Sequence, residues 1–121
     1  MRVLIVDDAP FMVESFQDIF EDEGWQVVGT ASNGREAIRL FTQMKPDIVI
    51  MDILMPEMDG LSAIKEIIRT DKNAKIIVVS ALAKKDLDTD CLEAGAKVFI
   101  KKPFDIDLLI QQMKRTNEAG P

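Results

Sequence analysis

Ile48-Val49-Ile50-Met51-Asp52, followed by Ile53-Leu54-Met55-Pro56-Glu57-Met58-Asp59-Gly60, is the stretch that decides the fold of this 121-residue chain. Four consecutive apolar residues in so short a run read as a strand covered on both faces. The run ends on an acid, Asp52, and a loop with a proline and a glycine follows. Asp52 is therefore expected where a buried strand gives way to a loop. A carboxylate there is costly unless something pairs with it.

Working outward, strand and helix signals alternate five times. Strands are predicted over residues 3–6, about 26–30, 47–51, 75–79 and 97–101. The first helix has Pro10 in its first turn, Met12, Phe16, Ile19 and Phe20 at helical spacing, and Gly24 as its terminator. The second opens at Ser32-Asn33-Gly34, turns Ala37, Leu40, Phe41 and Met44 to one side, and stops at Lys45-Pro46. The third starts at Asp59-Gly60 with Leu61, Ile64, Ile67 and Ile68 inward, and residues 71–74 form a turn. The fourth, about 84–94, places Leu87, Cys91 and Ala94 on one face and is capped by Gly95. Lys102-Pro103 breaks the fifth strand, and Asp105 caps a last helix with Ile106, Leu109, Ile110 and Met113 inward. Residues 117–121 are expected to fray. Apolar strands alternating with helices imply right-handed crossovers, a doubly wound parallel five-stranded sheet and an α/β, (βα)5 fold. No linker, repeat or low-complexity tract interrupts it, so residues 1–121 read as one domain.

Composition narrows the function. The net charge is −6, from 15 basic and 21 acidic residues. The only adjacent basic pairs are Lys84-Lys85, Lys101-Lys102 and Lys114-Arg115, which is no nucleic-acid patch. No apolar run reaches membrane-spanning length, and the apolar start is too short for a secretory signal, so a cytoplasmic location is expected. The single cysteine, Cys91, can form no internal disulfide and reads as a small buried apolar residue. Histidine is absent. That removes histidine-based triads and general bases, and nearly all zinc sites. Any chemistry must run on carboxylates, hydroxyls, lysines and a metal.

In an open α/β sheet the functional crevice lies at the carboxyl ends of the strands. Asp7 and Asp8 follow strand one, Asp52 follows strand three, Ser80 follows strand four and Lys102 follows strand five. Strand two offers only Thr30-Ala31-Ser32, which places it at the sheet edge, away from the chemistry. Singly, each residue has a plainer reading: Asp8 as a helix cap, Ser80 as the start of a turn, Lys102 as a solvated strand end. Together they make a constellation. Converging carboxylates raise one another's pKa unless positive charge intervenes. Hard oxygen ligands suit Mg2+, and Lys102 adds a second cation. Metal, lysine and hydroxyl can cradle a phosphoryl group, with one carboxylate as nucleophile towards phosphorus.

Val6-Asp7-Asp8, Met51-Asp52, Met55-Pro56, Met58-Asp59-Gly60, Ser80-Ala81 and Lys102-Pro103-Phe104 make the chain resemble the receiver domain of two-component response regulators, the stand-alone chemotaxis receivers above all. The resemblance spans residues 2–116. It implies the flavodoxin-like strand order 2-1-3-4-5. It implies Asp52 as phosphoacceptor and Mg2+ held by Asp8, by Asp7 directly or through water, by Asp52 and by the backbone carbonyl of Leu54. Ser80 would hydrogen-bond the phosphoryl group and Lys102 would pair with it. Phe99 falls on the family's switch aromatic, and a cis peptide is implied at Lys102-Pro103. Ser80 moving towards the phosphoryl group would leave room for Phe99 to rotate inward and reshape the surface of helix four, strand five and helix five. The implied protein is a monomeric signalling switch rather than an enzyme. It would take phosphate from a chemotaxis-type histidine kinase, lose it slowly and dock on a target such as a motility-switch component. A phosphatase is a further partner of this kind; nucleic acid and membrane insertion are not implied.

Two residues modify that picture. Leu54, two after the acceptor, and Leu82, two after Ser80, cannot orient an attacking water, so a long-lived phosphorylated state is expected. Trp25, near the start of strand two, is expected to report metal or phosphate binding poorly. One rival is a receiver belonging to a larger regulator with an output domain, although Gly95-Ala96-Lys97-Val98-Phe99 lacks the paired acids common before that aromatic in winged-helix regulators. Another is a phosphatase of the haloacid-dehalogenase type, which wants an acid where Leu54 stands. A dinucleotide- or flavin-binding module is disfavoured: strand one is followed by Asp7-Asp8 and by no Gly-x-Gly-x-x-Gly.

Overall fold

Apolar strand residues fill both sides of one sheet, because successive side chains point to opposite faces. The computed structural model describes residues 1–55, 58–82 and 85–120. Its strands are β1 (Arg2–Val6), β2 (Gln26–Ala31), β3 (Ile48–Met51), β4 (Ile76–Ser80) and β5 (Val98–Lys101). All pair in parallel, in the order β2-β1-β3-β4-β5. The alternating helices are α1 (Pro10–Asp22), α2 (Gly34–Met44), α3 (Gly60–Thr70), α4 (Leu87–Ala94) and α5 (Ile106–Glu118). On one face Leu4, Val49, Met51, Ile76 and Val78 pack with Phe41, Ile64, Ile67 and Cys91 of α2, α3 and α4. On the other, Val3, Ile5, Ile48, Ile50, Ile77 and Val79 pack with Phe16, Phe20, Leu109 and Met113 of α1 and α5. This is the doubly wound arrangement expected from the sequence, and β2, the most polar strand, takes the edge.

Local chemistry sets the helix boundaries. The side chains of Asn33, Asp59 and Asp105 accept from the backbone N–H of Glu36, Ser62 and Leu108 at 2.9, 2.8 and 3.2 Å. These bonds satisfy first-turn donors that would otherwise be unpaired. Helix α1 starts on Pro10 and carries no side-chain cap, so Asp8 does not serve as one. Lys45 ends α2 in the left-handed region at φ 47°. Gly95 ends α4 at φ 120°, where a Cβ would lie 2.5 Å from Ile68 Cγ1.

The structure shifts several boundaries. Helix α4 begins at Leu87, and Lys84, the predicted start, lies outside the described residues. Ile106 is 52% exposed rather than inward: it is the first residue of α5, whose buried residues begin only at Leu109. Asn117 and Glu118 belong to α5 instead of fraying. Their order has a cause in a distant lysine: Lys75 Nζ donates to the carbonyls of Asn117 and Ala119 at 2.9 and 2.7 Å. Arg2 does the same for α2, donating from its guanidinium to the carbonyls of Met44 and Lys45 at 2.7 and 2.9 Å. A cation at carbonyls left open at a helix C-terminus offsets the negative end of the helix dipole. The Lys102-Pro103 peptide is cis.

Candidate functional site

Parallel register brings four strand ends to one crevice. Val6 pairs with Met51, Met51 with Val78, and Ser80 with Lys101. The ladder continues one residue past the strands: the N–H of Asp52 donates to Val6 O at 2.9 Å, that of Asp7 to Ala31 O at 3.0 Å and that of Lys102 to Ser80 O at 2.9 Å. The backbone thus fixes where each functional side chain leaves the sheet.

One carboxylate oxygen from each of Asp7, Asp8 and Asp52 lies within 4.8 Å of the other two. Their surroundings differ. Asp7 is 3% exposed and fully engaged: Oδ1 accepts from the Ala9 N–H at 2.9 Å and Oδ2 from Lys102 Nζ at 3.0 Å. Asp52 Oδ1 accepts from the N–H of Ile53 at 2.7 Å and of Leu54 at 3.4 Å. Its Oδ2 lies 3.8 Å from Lys102 Nζ. Asp8 is exposed, and among the described residues no hydrogen bond or ion pair engages its side chain. The donor set is hard oxygen, partly pre-oriented and rich in negative charge, so it fits a small divalent cation such as Mg2+.

Burial pushes the Asp52 carboxyl above its ordinary value. The Lys102 ammonium opposes that rise, Asp7 reinforces it, and the N–H donors of Leu54 and Ile53 oppose it again. A carboxyl raised in the folded state favours folding below the ordinary carboxylate range. It loses that contribution as pH rises through the window up to the raised value. In metal-free protein Asp52→Asn should therefore be more stable than wild type at neutral pH, by on the order of 1 kcal/mol. The difference should vanish as pH falls through the carboxylate range. Urea unfolding in EDTA across that range checks it; a variant less stable at pH 7 would show that Asp52 is a net stabiliser.

The remaining positions take up defined places. Ser80 is fully buried, and its Oγ accepts from the Leu82 N–H at 3.2 Å. Phe99 is half-buried, pairs with Val78 and packs against the α2–α3–α4 side of the core. Since Val78 and Ser80 are two apart on one strand, Phe99 and Ser80 share a face of the sheet. Leu54 is 66% exposed at the crevice, and Leu82 is half-buried. Trp25 lies at the opposite end of β2, tilted against Phe20 at 5.9 Å. The expectation for β2 needs correcting. It is an edge strand, yet Thr30, Ala31 and Ser32 line a groove of about 390 Å3 with Asp7, Asp8 and Glu36, because β2 pairs directly with β1. Sequence reasoning also missed that Lys102 lies closer to Asp7 than to Asp52, a choice made by side-chain packing that residue spacing does not reveal.

A sequence profile of the response regulator receiver domain matches residues 3–114. The chain belongs to that family. It is similar to chemotaxis protein CheY of Thermotoga maritima, 49% identical over 97% of this chain and 98% of that protein. It is also similar to chemotaxis protein CheY of Bacillus subtilis, 45% identical over 95% and 96%. Among solved structures it resembles CheY in the CheX-CheY-BeF3-Mg2+ complex from Borrelia burgdorferi. There the TM-score is 0.93 and the identity 41%, over 98% of this chain and 90% of that one. The protein is therefore a CheY-like receiver with the flavodoxin-like fold, of the kind used in phosphorylation-dependent two-component signalling and chemotaxis. No helix among the described residues is long and apolar enough to cross a membrane.

Proposed function

We propose that this receiver is a cytoplasmic chemotaxis switch that accepts a phosphoryl group on Asp52 from a histidine kinase, with Mg2+ at the carboxylate cluster. One observation carries the reading: three carboxylates share a site within 4.8 Å while Lys102 Nζ stands 3.8 Å from Asp52 Oδ2. Asp7, Asp8, Asp52 and the backbone carbonyl of Leu54 would hold the metal. When bound, Mg2+ neutralises carboxylate charge and phosphoryl oxygens.

The chain's own groups do the rest. Asp52 Oδ2, which takes no backbone donor among the described residues, attacks phosphorus; the bond to the donor's leaving group breaks, and an acyl phosphate forms. Asp7, pinned by the Ala9 N–H, keeps Lys102 at the crevice, where the ammonium pairs with the new negative charge. Ser80 exchanges its contact with the Leu82 N–H for one in which its hydroxyl donates to a phosphoryl oxygen. Phe99, on the same face, turns into the space released, and the surface of α4, β5 and α5 changes for a target such as a motility-switch component. The protein would promote only its own phosphorylation and slow dephosphorylation, acting as a regulator rather than an enzyme. Incubation with a small acyl phosphate should label wild type in Mg2+ and leave it unlabelled in EDTA. Equal labelling in both would remove the metal from the account.

Leu54 bears on how long the phosphoryl group stays. Its exposed side chain at the crevice offers no hydrogen bond to an attacking water. Leu54→Asn should shorten the lifetime of the phosphorylated protein about tenfold, the worth of one water-orienting hydrogen bond of roughly 1.4 kcal/mol. Decay followed after donor removal tests this. A variant that holds its phosphate longer than wild type would reverse the role given to Leu54.

A further inference from the structure

The end of the sheet opposite Asp52 carries a small cationic cleft that the phosphoacceptor reading does not use. Lys75 directly precedes β4, Lys97 directly precedes β5, and the Lys97 N–H donates to Ile76 O at 2.8 Å. The two lysines therefore leave adjacent strands at the same end of the sheet. With Gln112, Arg115 and Thr116 of α5 they line a cavity of about 260 Å3. Strand β4 has 5 residues, so at about 3.3 Å per residue the cleft lies roughly 16 Å from the crevice. The three cations are far apart in sequence, and only the fold brings them together.

The charge of the cleft runs against that of the chain. Among the described lining residues three are cations and none is an acid, although the net charge of the protein is −6. Among the described residues no ion pair engages Lys75, Lys97 or Arg115. The acid nearest to Arg115 in sequence, Glu118, is exposed and does not line the cleft. Like charges gathered in this way repel unless an anion joins them. Lys75 has part of its task already, since Nζ donates to the carbonyls of Asn117 and Ala119. A helix C-terminus carries roughly half a negative charge, so it offsets less than one of the three cations. We infer that this cleft binds a small polyphosphate anion, two or three adjoining phosphoryl groups that are either free or the tail of a nucleotide. The Arg115 guanidinium offers a fork that matches phosphoryl oxygens, and Lys97 adds a point charge. Lys75 keeps a third N–H, and Gln112 and Thr116 supply neutral donors at the wall. The volume, about nine waters at roughly 30 Å3 each, admits a di- or triphosphate and leaves a nucleoside outside. A nucleic acid is disfavoured, since the cations meet at one point and form no stripe for a backbone to follow. The carboxylate cluster repels a metal-free polyanion, which leaves the two sites separate.

The test titrates the intact protein with inorganic tripolyphosphate and follows backbone amide shifts by NMR. The buffer is stripped of metals on a chelating resin and held at about 20 mM salt, where screening is weak. The shifts should saturate and concentrate at residues 75–76, 97–98 and 112–120. Lys97→Gln and Arg115→Gln, both at exposed positions, should together weaken binding tenfold or more. They should leave labelling of the protein by a small acyl phosphate unchanged. Lys65→Gln, exposed on α3, should leave the binding itself unchanged. A parallel titration with ATP separates the two sources. Saturation by ATP at these residues supports the inference and assigns a nucleotide tail, and saturation by tripolyphosphate alone supports it and assigns a free polyphosphate. Three results overturn it: saturation by neither anion, shifts centred on the Asp52 crevice, or weakening by Lys65→Gln as great as that of the pair, which would mean an adventitious ion only.

Discussion

Gly60→Ala should destabilise the protein by about 3 kcal/mol, at the upper end of the cost of forcing extra volume into a packed site. It should also weaken Mg2+ binding, although residue 60 would touch no metal. A Cβ at residue 60 would lie 2.5 Å from the carbonyl oxygen of Asp52, 2.6 Å from Ile53 Cα and 2.9 Å from Ile53 Cδ1. The first two are backbone atoms and cannot swing aside. The Gly60 N–H also donates to Ile53 O at 2.9 Å, so the start of α3 is tied to the segment leaving β3. Either the helix backs away or the Asp52–Ile53 peptide turns, and turning it moves the N–H that holds Asp52 Oδ1 at 2.7 Å. Alanine is the better helix former by up to about 1 kcal/mol. Helix propensity therefore pushes the opposite way, which makes the sign of the result decisive. Urea unfolding gives the stability and a Mg2+ titration the affinity. Unchanged values of both would show that the close approach of α3 to the crevice is dispensable.

Much of this was written in residue order. The apolar run ending at Asp52 named β3, and the alternation around it named the doubly wound sheet, because burial on two faces leaves no polar positions in the strand. The convergence of Asp7, Asp8, Asp52, Ser80 and Lys102 followed from topology, since all parallel strands end at one edge. What stayed hidden depended on contacts between distant residues. Lys75 and Arg2 order the ends of α5 and α2 across 42 or more residues, and nothing local in 117–120 announces it. The partner of Lys102 is chosen by packing. Gly60 reads as a helix start in sequence, whereas its need to be glycine comes from the backbone of the preceding loop.

The central claim is that Asp52, and no other residue, receives the phosphoryl group. Among the described residues Oδ2 of Asp52 has no backbone donor, whereas both oxygens of Asp7 are occupied. Asp8 is exposed, and among the described residues no hydrogen bond or ion pair engages its side chain. Asp52→Asn keeps the size of the side chain and removes the anionic nucleophile. Intact-protein mass spectrometry after incubation with a small acyl phosphate and Mg2+ reads the outcome directly. Wild type should gain the mass of one phosphoryl group, and Asp52→Asn should gain none while remaining folded. A phosphoryl group on the Asp52→Asn protein to the same extent as on wild type would place the acceptor elsewhere and contradict the account.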